Sequence, residues 1–282
     1  MLVADHVSVR LGRSTLLDDV SVHLAPGEVL AVVGANGAGK TTLMRLLSGE
    51  QTPTEGTVRL GETPLDQFSA DDLARCRGVL PQHASLAFGF TVEEVVLLGR
   101  TPHRTRATED DEIARAALHA AGVHHLLGRS YPTLSGGEQQ RVHLARTLAQ
   151  IWEAPSPPSP RYLLLDEPTA SLDLAHQHAV LRTARRCAQA DVGVLAVLHD
   201  LNLAAQYAHR IAVLKHGQLV AEGPPATVLT PEVIQHAFDV AVLITDHPRA
   251  DCPLVVPVPE DTPSGAWSAS LSSPLSNEST HA

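Results

Sequence analysis

Apolar and polar residues alternate along the first 25 positions of the chain, and this alternation predicts antiparallel strands. A period of two places every second side chain on one face, which is typical of a sheet with one buried side. The apolar positions in this stretch are Val7, Val9, Leu11, Val20, Val22 and Leu24. Short apolar runs farther along predict more strands, because each is too short for a helix. They lie at 29–33, 57–62, 79–82, 162–165, 194–198 and 211–214, and the run at 57–62 is expected at a sheet edge.

Helical spacing of apolar residues alternates with these runs from residue 29 onward. Residues at i, i+3 and i+4 share one face, so this spacing predicts amphipathic helices. The predicted helices cover 42–47, 70–76, 91–99, 109–127 and 137–151, and further helices separate the last three strands. This alternation is typical of an α/β domain with a mainly parallel sheet.

Two segments interrupt the pattern. Residues 154–160 are rich in proline, which fixes φ and lacks an N–H group, so we expect an exposed, extended loop there. From about residue 259 to residue 282 the chain is rich in Ser, Pro, Thr and Gly. Such a segment buries too little apolar surface to offset its chain entropy, and it is predicted to be disordered.

The amino-acid composition excludes some classes of function. The 282 residues are 44% hydrophobic, enough for a substantial core. Aromatic residues make up only 3% and the formal net charge is −10, and both values argue against nucleic acid as a partner. Cys76, Cys187 and Cys252 are far apart and are expected to be reduced thiols in a cytoplasmic protein.

The N-terminus and the apolar runs carry no targeting signal. Residues 1–6 lack the basic and apolar regions of a signal peptide. The apolar run at 192–198 falls far short of the roughly 20 residues that a membrane span requires. Any association with a membrane is therefore expected to be peripheral, through a partner.

A glycine-rich loop after the strand at 29–33 predicts nucleotide binding. It has the form G-x-x-x-x-G-K-T and is followed by a helix, which is the context that such a loop needs. Glycines let backbone N–H groups surround phosphate oxygens, Lys40 would reach the β- and γ-phosphates, and the Thr41 hydroxyl would hold Mg²⁺. The candidate ATP-binding residues are Gly34, Ala35, Asn36, Gly37, Ala38, Gly39, Lys40, Thr41 and Thr42.

The strand at 162–165 ends in two carboxylates, Asp166 and Glu167. Taken alone, such an end is as often a strand that meets solvent. Together with the phosphate loop it predicts hydrolysis, with Asp166 in the Mg²⁺ shell and Glu167 polarising the attacking water.

The stretch Leu134–Arg141 reads LSGGEQQR. By itself it is a good helix start, with Ser135 as the cap and Glu138 three residues later. It also resembles the signature of the ATP-binding-cassette (ABC) ATPases. That resemblance implies that Ser135, Gly136 and Gly137 contact the γ-phosphate held by a second subunit, so that a homodimer clamps two ATP molecules with Mg²⁺.

Other positions match further motifs of the family, and these motifs occur along the chain in the same order as in the family. Gln82 resembles the glutamine that senses Mg²⁺ and the attacking water, and is implied as both a catalytic and a metal-site residue. The sequence 171–173 resembles the loop that couples two active sites, and His199 resembles the histidine that contacts the γ-phosphate. One departure concerns the base: where many members place an aromatic ring, this chain offers only Leu11 or Val9.

The resemblance covers about residues 2–245 and implies a fold. We expect a P-loop NTPase cassette of α/β class, with a mainly parallel core sheet, an antiparallel β subdomain and an α-helical subdomain at about 83–150. The ATPase domain would span 1–245, with the proline-rich insertion at 154–160. Residues 246–282 would form a C-terminal extension.

A single cassette resembles the motor subunit of an importer. The segment 88–103, in the region that meets the membrane subunits in this family, resembles that of importers for metal chelates, namely haem, ferric siderophores and cobalamin. Residues 172–178, the widened gap before Tyr162, and residues 251–257 resemble the haemin-importing members. The implied partners are a membrane permease dimer and, indirectly, a periplasmic haemin-binding protein, with the chain on the cytoplasmic face of the bacterial inner membrane.

Alternatives remain at this point. The resemblance favours haemin as the cargo, and the motor of a ferric-siderophore or cobalamin importer is the alternative. A non-transport ABC ATPase on ribosomes or DNA is disfavoured by the single cassette and the acidic charge. A regulatory module without turnover is disfavoured by Glu167 and Ser135. The 16 histidines are expected to be solvated surface residues rather than metal ligands.

Overall fold

The computed structural model describes residues 1–82, 86, 89–154, 159–170 and 172–259. The proline-rich run is therefore described only at its ends, and residues 260–282 lie outside the described residues. The strands are β1 Leu2–Leu11, β2 Ser14–Leu24, β3 Val29–Gly34, β4 Glu55–Leu60, β5 Thr63–Pro64, β6 Arg77–Leu80, β7 Arg161–Leu165, β8 Val192–Val197, β9 Arg210–Lys215, β10 Gln218–Gly223, β11 Val242–Asp246 and β12 Pro253–Pro257.

The helices alternate with the central strands. They are α1 Lys40–Ser48, α2 Ala70–Cys76, α3 Val92–Leu97, α4 Ala107–Ala120, α5 Gly136–Gln150, α6 Leu174–Gln189, α7 Leu201–Tyr207, α8 Pro225–Val228 and α9 Pro231–Phe238.

The central sheet has the strand order β10-β9-β3-β8-β7-β6. Its strands are parallel except for β10, which pairs antiparallel with β9. Side chains of β3 alternate between two cores: Val29 and Ala31 pack with α3–α7, whereas Leu30 and Val32 face α1, α2 and the other sheet. A strand buried on both faces reads as a continuous apolar run, and this explains why 29–33 lacks alternation.

An antiparallel sheet covers one face of the central sheet, in the order β2-β1-β4-β5. It confirms the strands predicted in the first 25 residues. The prediction of an edge strand at 57–62 is wrong in one respect. β4 lies between β1 and the short β5, because the turn at Gly61 returns the chain to pair Leu60 with Thr63.

The α/β class and cassette architecture are confirmed, but two predicted helices end early. The helix predicted over 109–127 stops at Ala120, because Gly122 takes a left-handed φ of 71° and ends the helix before a short 3-10 turn at His124–Leu126. The helix predicted over 91–99 ends at Leu97 and tightens into a 3-10 turn at Leu98–Arg100.

The C-terminal part contains a hairpin that the apolar pattern did not predict. β11 and β12 pair antiparallel, and Asn202 of α7 binds both the N–H and the carbonyl of Val255. The boundary expected at residue 245 therefore falls inside β11. Across the described ranges, no helix is both long and apolar enough to cross a bilayer.

Candidate nucleotide-binding and catalytic site

The phosphate loop joins β3 to α1 through glycines that no other residue could replace. A Cβ on Gly34 would lie 2.3 Å from the carbonyl oxygen of Leu214, so only glycine fits there. Gly39 has a φ of 104° and its Cβ would meet the Leu16 carbonyl at 2.8 Å. Gly39 is also the N-cap of α1 and offers no capping side chain, so the first N–H groups of the helix face the loop.

The loop surrounds a cavity of about 220 Å³. The lining contains most of the residues predicted to bind ATP, together with one carboxylate and one residue that the sequence did not single out. These lining residues are Asn36, Gly37, Ala38, Gly39, Lys40, Thr41, Thr42, Glu167 and Leu16.

Lys40 is held inside the loop. Its Nζ donates to the carbonyl oxygens of Gly34, at 2.8 Å, and Ala35, at 3.0 Å, and the residue is 6% exposed. Burial lowers the pKa of Lys40, while the charges of Glu167 and Asp166 oppose that shift. An ammonium group bound only to carbonyl dipoles is well placed to exchange them for phosphate oxygens.

The other predicted catalytic residues follow neighbouring parallel strands and meet at the carboxyl edge of the sheet. Gln82 follows β6, Glu167 follows β7 and His199 follows β8. Nε2 of Gln82 donates to Glu167 Oε2 at 2.6 Å, and Nε2 of His199 contacts Glu167 Oε1 at 2.7 Å. Each carboxylate oxygen of Glu167 therefore has its own donor.

The backbone of Glu167 supports this position. Its φ is 48°, in the left-handed region that non-glycine residues rarely adopt. The turn directs the carboxylate toward the phosphate-loop cavity, and its side chain is only 15% exposed. Unusual backbone geometry of this kind clusters at functional sites.

Asp166 fits a metal ion. Its Oδ1 is buried and has no hydrogen-bond partner among the described residues. Burial raises the pKa of Asp166, and repulsion from Glu167 adds to the shift. A divalent cation would relieve both penalties, and carboxylate oxygens are ligands that Mg²⁺ prefers. Thr41 lines the adjoining cavity and supplies a hydroxyl.

The signature residues lie elsewhere on the chain. Ser135 caps α5 in a full capping box: its hydroxyl accepts from the N–H of Glu138, whose carboxylate accepts from the N–H of Ser135. Gly136 has nothing within 4 Å of an added Cβ, and Gly137 would meet only Leu172. None of Ser135, Gly136 and Gly137 lines the cavity of their own chain.

The predicted coupling loop lies next to the signature helix. Ser171 is outside the described residues, whereas Asp173 caps α6 by accepting from the N–H of His176 at 2.9 Å. Gln140 of α5 donates to the Pro168 carbonyl at 3.0 Å. The segment after Glu167 is thus joined to the helix that carries the signature.

The structure separates the two residues considered for the adenine base. Val9 is 2% exposed and belongs to a core, whereas Leu11 is 72% exposed at the end of β1. Sequence reasoning missed Leu16, which lines the phosphate-loop cavity. Its position in an alternating strand gave no signal for this role.

The histidines show no metal centre in the described part of the chain, where no group of three metal-binding side chains converges. His119 and His124 stack with ring centroids 4.1 Å apart, and His124 and His125 lie on a 3-10 turn rather than on the predicted helix.

Comparison with known proteins gives the family. A family model described as ABC transporter matches residues 17–170. The Hemin import ATP-binding protein HmuV of Gloeobacter violaceus is 58% identical over 261 residues, covering 92% of this chain and 94% of that protein.

Solved structures agree with this result. A chain from a metal-chelate type ABC transporter, in an inward-facing conformation, is 27% identical, has a TM-score of 0.76, and covers 91% of this chain and 96% of its own length. A bacterial ABC transporter cassette solved as a dimer is 26% identical, with a TM-score of 0.69, and covers 79% of this chain and 98% of its own. Because the family model spans more than half of the chain and the HmuV relative is 58% identical over nearly its full length, this protein belongs to the ABC transporter family, as one of its ATP-hydrolysing cassettes.

Proposed function

We propose that this chain is the motor subunit of a haemin importer, which couples ATP hydrolysis to import across the inner membrane. The observation that carries the cargo is the 58% identity to a hemin import ATP-binding protein over nearly the full length of both chains. The cassette site supports the chemistry, since loop, acid pair, glutamine and histidine converge on one edge of the sheet.

Each site residue has a proposed role. Gly34–Thr42 cradle the phosphates of ATP, with Lys40 on the β- and γ-phosphates. Thr41, Asp166 and Gln82 hold Mg²⁺, which supplies charge neutralisation at the phosphates when bound. His199 contacts the γ-phosphate.

Glu167 is the proposed general base. Both of its oxygens are bonded, one to Gln82 and the other to His199. A carboxylate takes a proton from water only if the water reaches hydrogen-bond distance. Each of these oxygens keeps a second lone pair, so the attacking water can donate to Glu167 beside Gln82 and His199.

The arrangement supports a homodimer. Ser135, Gly136 and Gly137 are absent from the lining of the phosphate-loop cavity, so one chain supplies only half of the proposed ATP site. Two chains arranged head to tail would place each signature on the other's γ-phosphate. The dimeric cassette with a TM-score of 0.69 supports this assembly.

The proposed partners follow from the cargo. A permease dimer would contact the helical subdomain at about 83–150, and a periplasmic haemin-binding protein would act through that permease. The chain would sit peripherally on the cytoplasmic face of the membrane. Residues 1–245 would serve as the cassette, and residues 246–282 as an extension.

The test is ATP hydrolysis by the motor–permease complex in lipid, with the binding protein added empty or loaded. Stimulation by haemin, without stimulation by a ferric siderophore or cobalamin, is the expected result. Stimulation by either of the other chelates instead would refute the cargo and leave the motor role intact. Lack of ATP hydrolysis under every condition would refute the motor role itself.

A further inference from the structure

The last turn of α5 is joined to a separate segment by buried hydrogen bonds. Arg100, which is 3% exposed, donates from Nη1 to the carbonyl of Ala149 at 2.8 Å. Nε2 of His103 lies 2.7 Å from the carbonyl of Gln150 and donates to it, since a carbonyl can only accept. The last carbonyls of a helix lack intrahelical partners, so these bonds stabilise the end of α5.

Arg100 also binds the first turn of α4. Its Nε donates to Asp110 Oδ1 at 2.7 Å, and the Thr105 hydroxyl donates to the same oxygen at 2.6 Å. Burial raises the pKa of Asp110, but the hydrogen bonds from Thr105 and Arg100 outweigh it and hold the pKa below its ordinary value. Nη2 of Arg100 reaches Glu153 Oε2 at 3.2 Å. The guanidinium therefore joins the turn that follows α3 to the first turn of α4 and to the end of α5.

Gln150 carries this connection to the catalytic sheet. Its side-chain Nε2 donates to the carbonyls of Ala74, at 2.8 Å, and Arg77, at 3.0 Å. Arg77 is the first residue of β6, the strand that leads to Gln82. The end of α5 is thus bonded to the strand that positions the glutamine on Glu167.

Backbone packing makes the connection stiff. A Cβ on Gly78 of β6 would lie 2.7 Å from the Thr147 methyl group of α5. A Cβ on Gly99 would lie 2.2 Å from the carbonyl oxygen of Arg146. At both glycines the neighbouring element lies directly against the backbone, so a displacement of one element is passed to the next.

We propose that Arg100 is a positioning residue, which transmits displacements of α3 and α4 through Gln150 and β6 to Gln82. This inference rests on the proposed function, because it takes the helical subdomain as the part that the permease moves. Neither Arg100 nor Gln150 lines the nucleotide cavity, so both act through the strand rather than on the reacting atoms.

Hydrogen–deuterium exchange of the full chain tests the linkage without any cargo. Arg100→Lys keeps the charge but cannot reach all partners, and amides at 97–110 and 77–80 should exchange about tenfold faster. Gln150→Met removes only the bonds to Ala74 and Arg77, so the increase should be confined to residues 74–80, with no change at 97–110. The matched controls are exposed residues, Arg115→Lys on α4 and Gln189→Met on α6. Wild-type exchange at 77–80 in both variants, or an equal increase in β8 and β9, would overturn the proposal.

Measurements of ATP hydrolysis distinguish a role in transmitting permease movements from a purely structural role. The permease is expected to raise the kcat for ATP hydrolysis. In the motor–permease complex of both variants this increase should be several-fold smaller than in the wild type, with KM for ATP unchanged. The isolated variant chains should keep both constants. An equal fractional loss with and without the permease would mean a structural role and reject the proposal. If haemin does not stimulate ATP hydrolysis by the wild-type complex, the proposed cargo is wrong. The hydrogen–deuterium exchange experiment still tests the linkage in that case.

Discussion

The carboxylate of Glu167 lies between two donors that arrive from different strands. Gln82 binds one oxygen at 2.6 Å and His199 the other at 2.7 Å. The residues are 85 and 32 positions from Glu167 along the chain, so local sequence pattern carries no sign of their contact. At the scale of single residues, function depends on how the side chains of Gln82, Glu167 and His199 bind water, phosphate or metal.

Replacement of the proposed base should separate binding from turnover. Glu167→Gln keeps the shape of the side chain, but its amide nitrogen can only donate a hydrogen bond and the side chain cannot take up the proton. We expect ATP binding to be retained and turnover to fall about 10²-fold or more. Steady-state hydrolysis and equilibrium nucleotide binding measure the two quantities, with Glu232→Gln in α9 as the matched control. Near-normal turnover in Glu167→Gln would exclude the assigned role.

Asp166→Asn should change stability in a way that depends on pH and Mg²⁺. A raised pKa of Asp166 means that the folded chain holds this proton more tightly than the unfolded chain. Stability from this group is therefore present at acidic pH and is lost as the pH rises through the raised pKa. Without metal, Asp166→Asn should be at least as stable as wild type at neutral pH, and the difference should vanish in acid.

With Mg-ATP the order should reverse. At a hundred times its Kd, a ligand stabilises the wild type by about 2.7 kcal/mol, and the variant should lose most of that gain. Thermal unfolding in a chelator and in Mg-ATP, at both pH values, measures each part. Equal Mg²⁺-dependent stabilisation in the two proteins would show that Asp166 does not hold the metal.

Leu11→Tyr should strengthen nucleotide binding. Leu11 is 72% exposed where many family members place an aromatic ring, so a larger side chain meets no core. Stacking on a base is worth about 1–3 kcal/mol, so we expect the Kd for ATP to fall at least about fivefold. Titration with ATP measures this, and Leu243→Tyr, at another exposed position, is the control. An unchanged Kd would place the base away from Leu11.

At the scale of elements, two helices begin with the same capping device. Thr91 and Glu94 form a capping box at α3, and Ser135 and Glu138 form one at α5. Both pairs have the pattern of a good helix start, and both helices begin where the sequence predicts, to within a residue or so. The caps are therefore equal as local structure, and only the second is proposed to meet ATP.

This pair allows capping to be separated from catalysis. Ser135→Ala and Thr91→Ala should each lower the free energy of unfolding by about 1 kcal/mol. Only Ser135→Ala should also reduce ATP hydrolysis by the dimer, because it removes a γ-phosphate contact. Urea unfolding and hydrolysis rates are compared in the two variants. Equal losses of activity in both would reduce Ser135 to a helix cap.

At the scale of the whole molecule, each chain carries two proposed half-sites that lie apart. The phosphate loop lies at the carboxyl edge of the central sheet, and the signature begins α5, outside that cavity. A single chain cannot close both halves on one nucleotide in this arrangement. Nucleotide binding and association of two chains are therefore expected to be linked.

Association should depend on ATP. Glu167→Gln, which is expected to hold ATP without hydrolysing it, should be monomeric alone and dimeric with Mg-ATP. Sedimentation velocity measures both states, and Glu167→Gln combined with Ser135→Ala provides the comparison that should dimerise less. A dimer of equal strength without ATP would contradict the linkage.

The local chemistry and the class of fold could be predicted before the structure was known. Loop, capping and strand signals are contained in a few consecutive residues, and for that reason Gly34–Thr41, Asp166–Glu167 and the start of α5 could be predicted. The same locality explains the errors at Ala120 and at the strand of residues 57–62. The left-handed Gly122 ended the helix, and β5 paired with the outer side of the strand. The spacing of apolar residues indicates neither feature.

The contacts between groups that are distant along the chain became visible only in the folded protein. Parallel strands bring Gln82, Glu167 and His199 to one edge. Hydrogen bonds join Arg100 to the end of α5, and Gln150 of α5 to β6. Such contacts depend on strand order and on the packing of helices, which many residues fix together. No short run of sequence encodes them, and they decide how the chemistry of the loop is placed and moved.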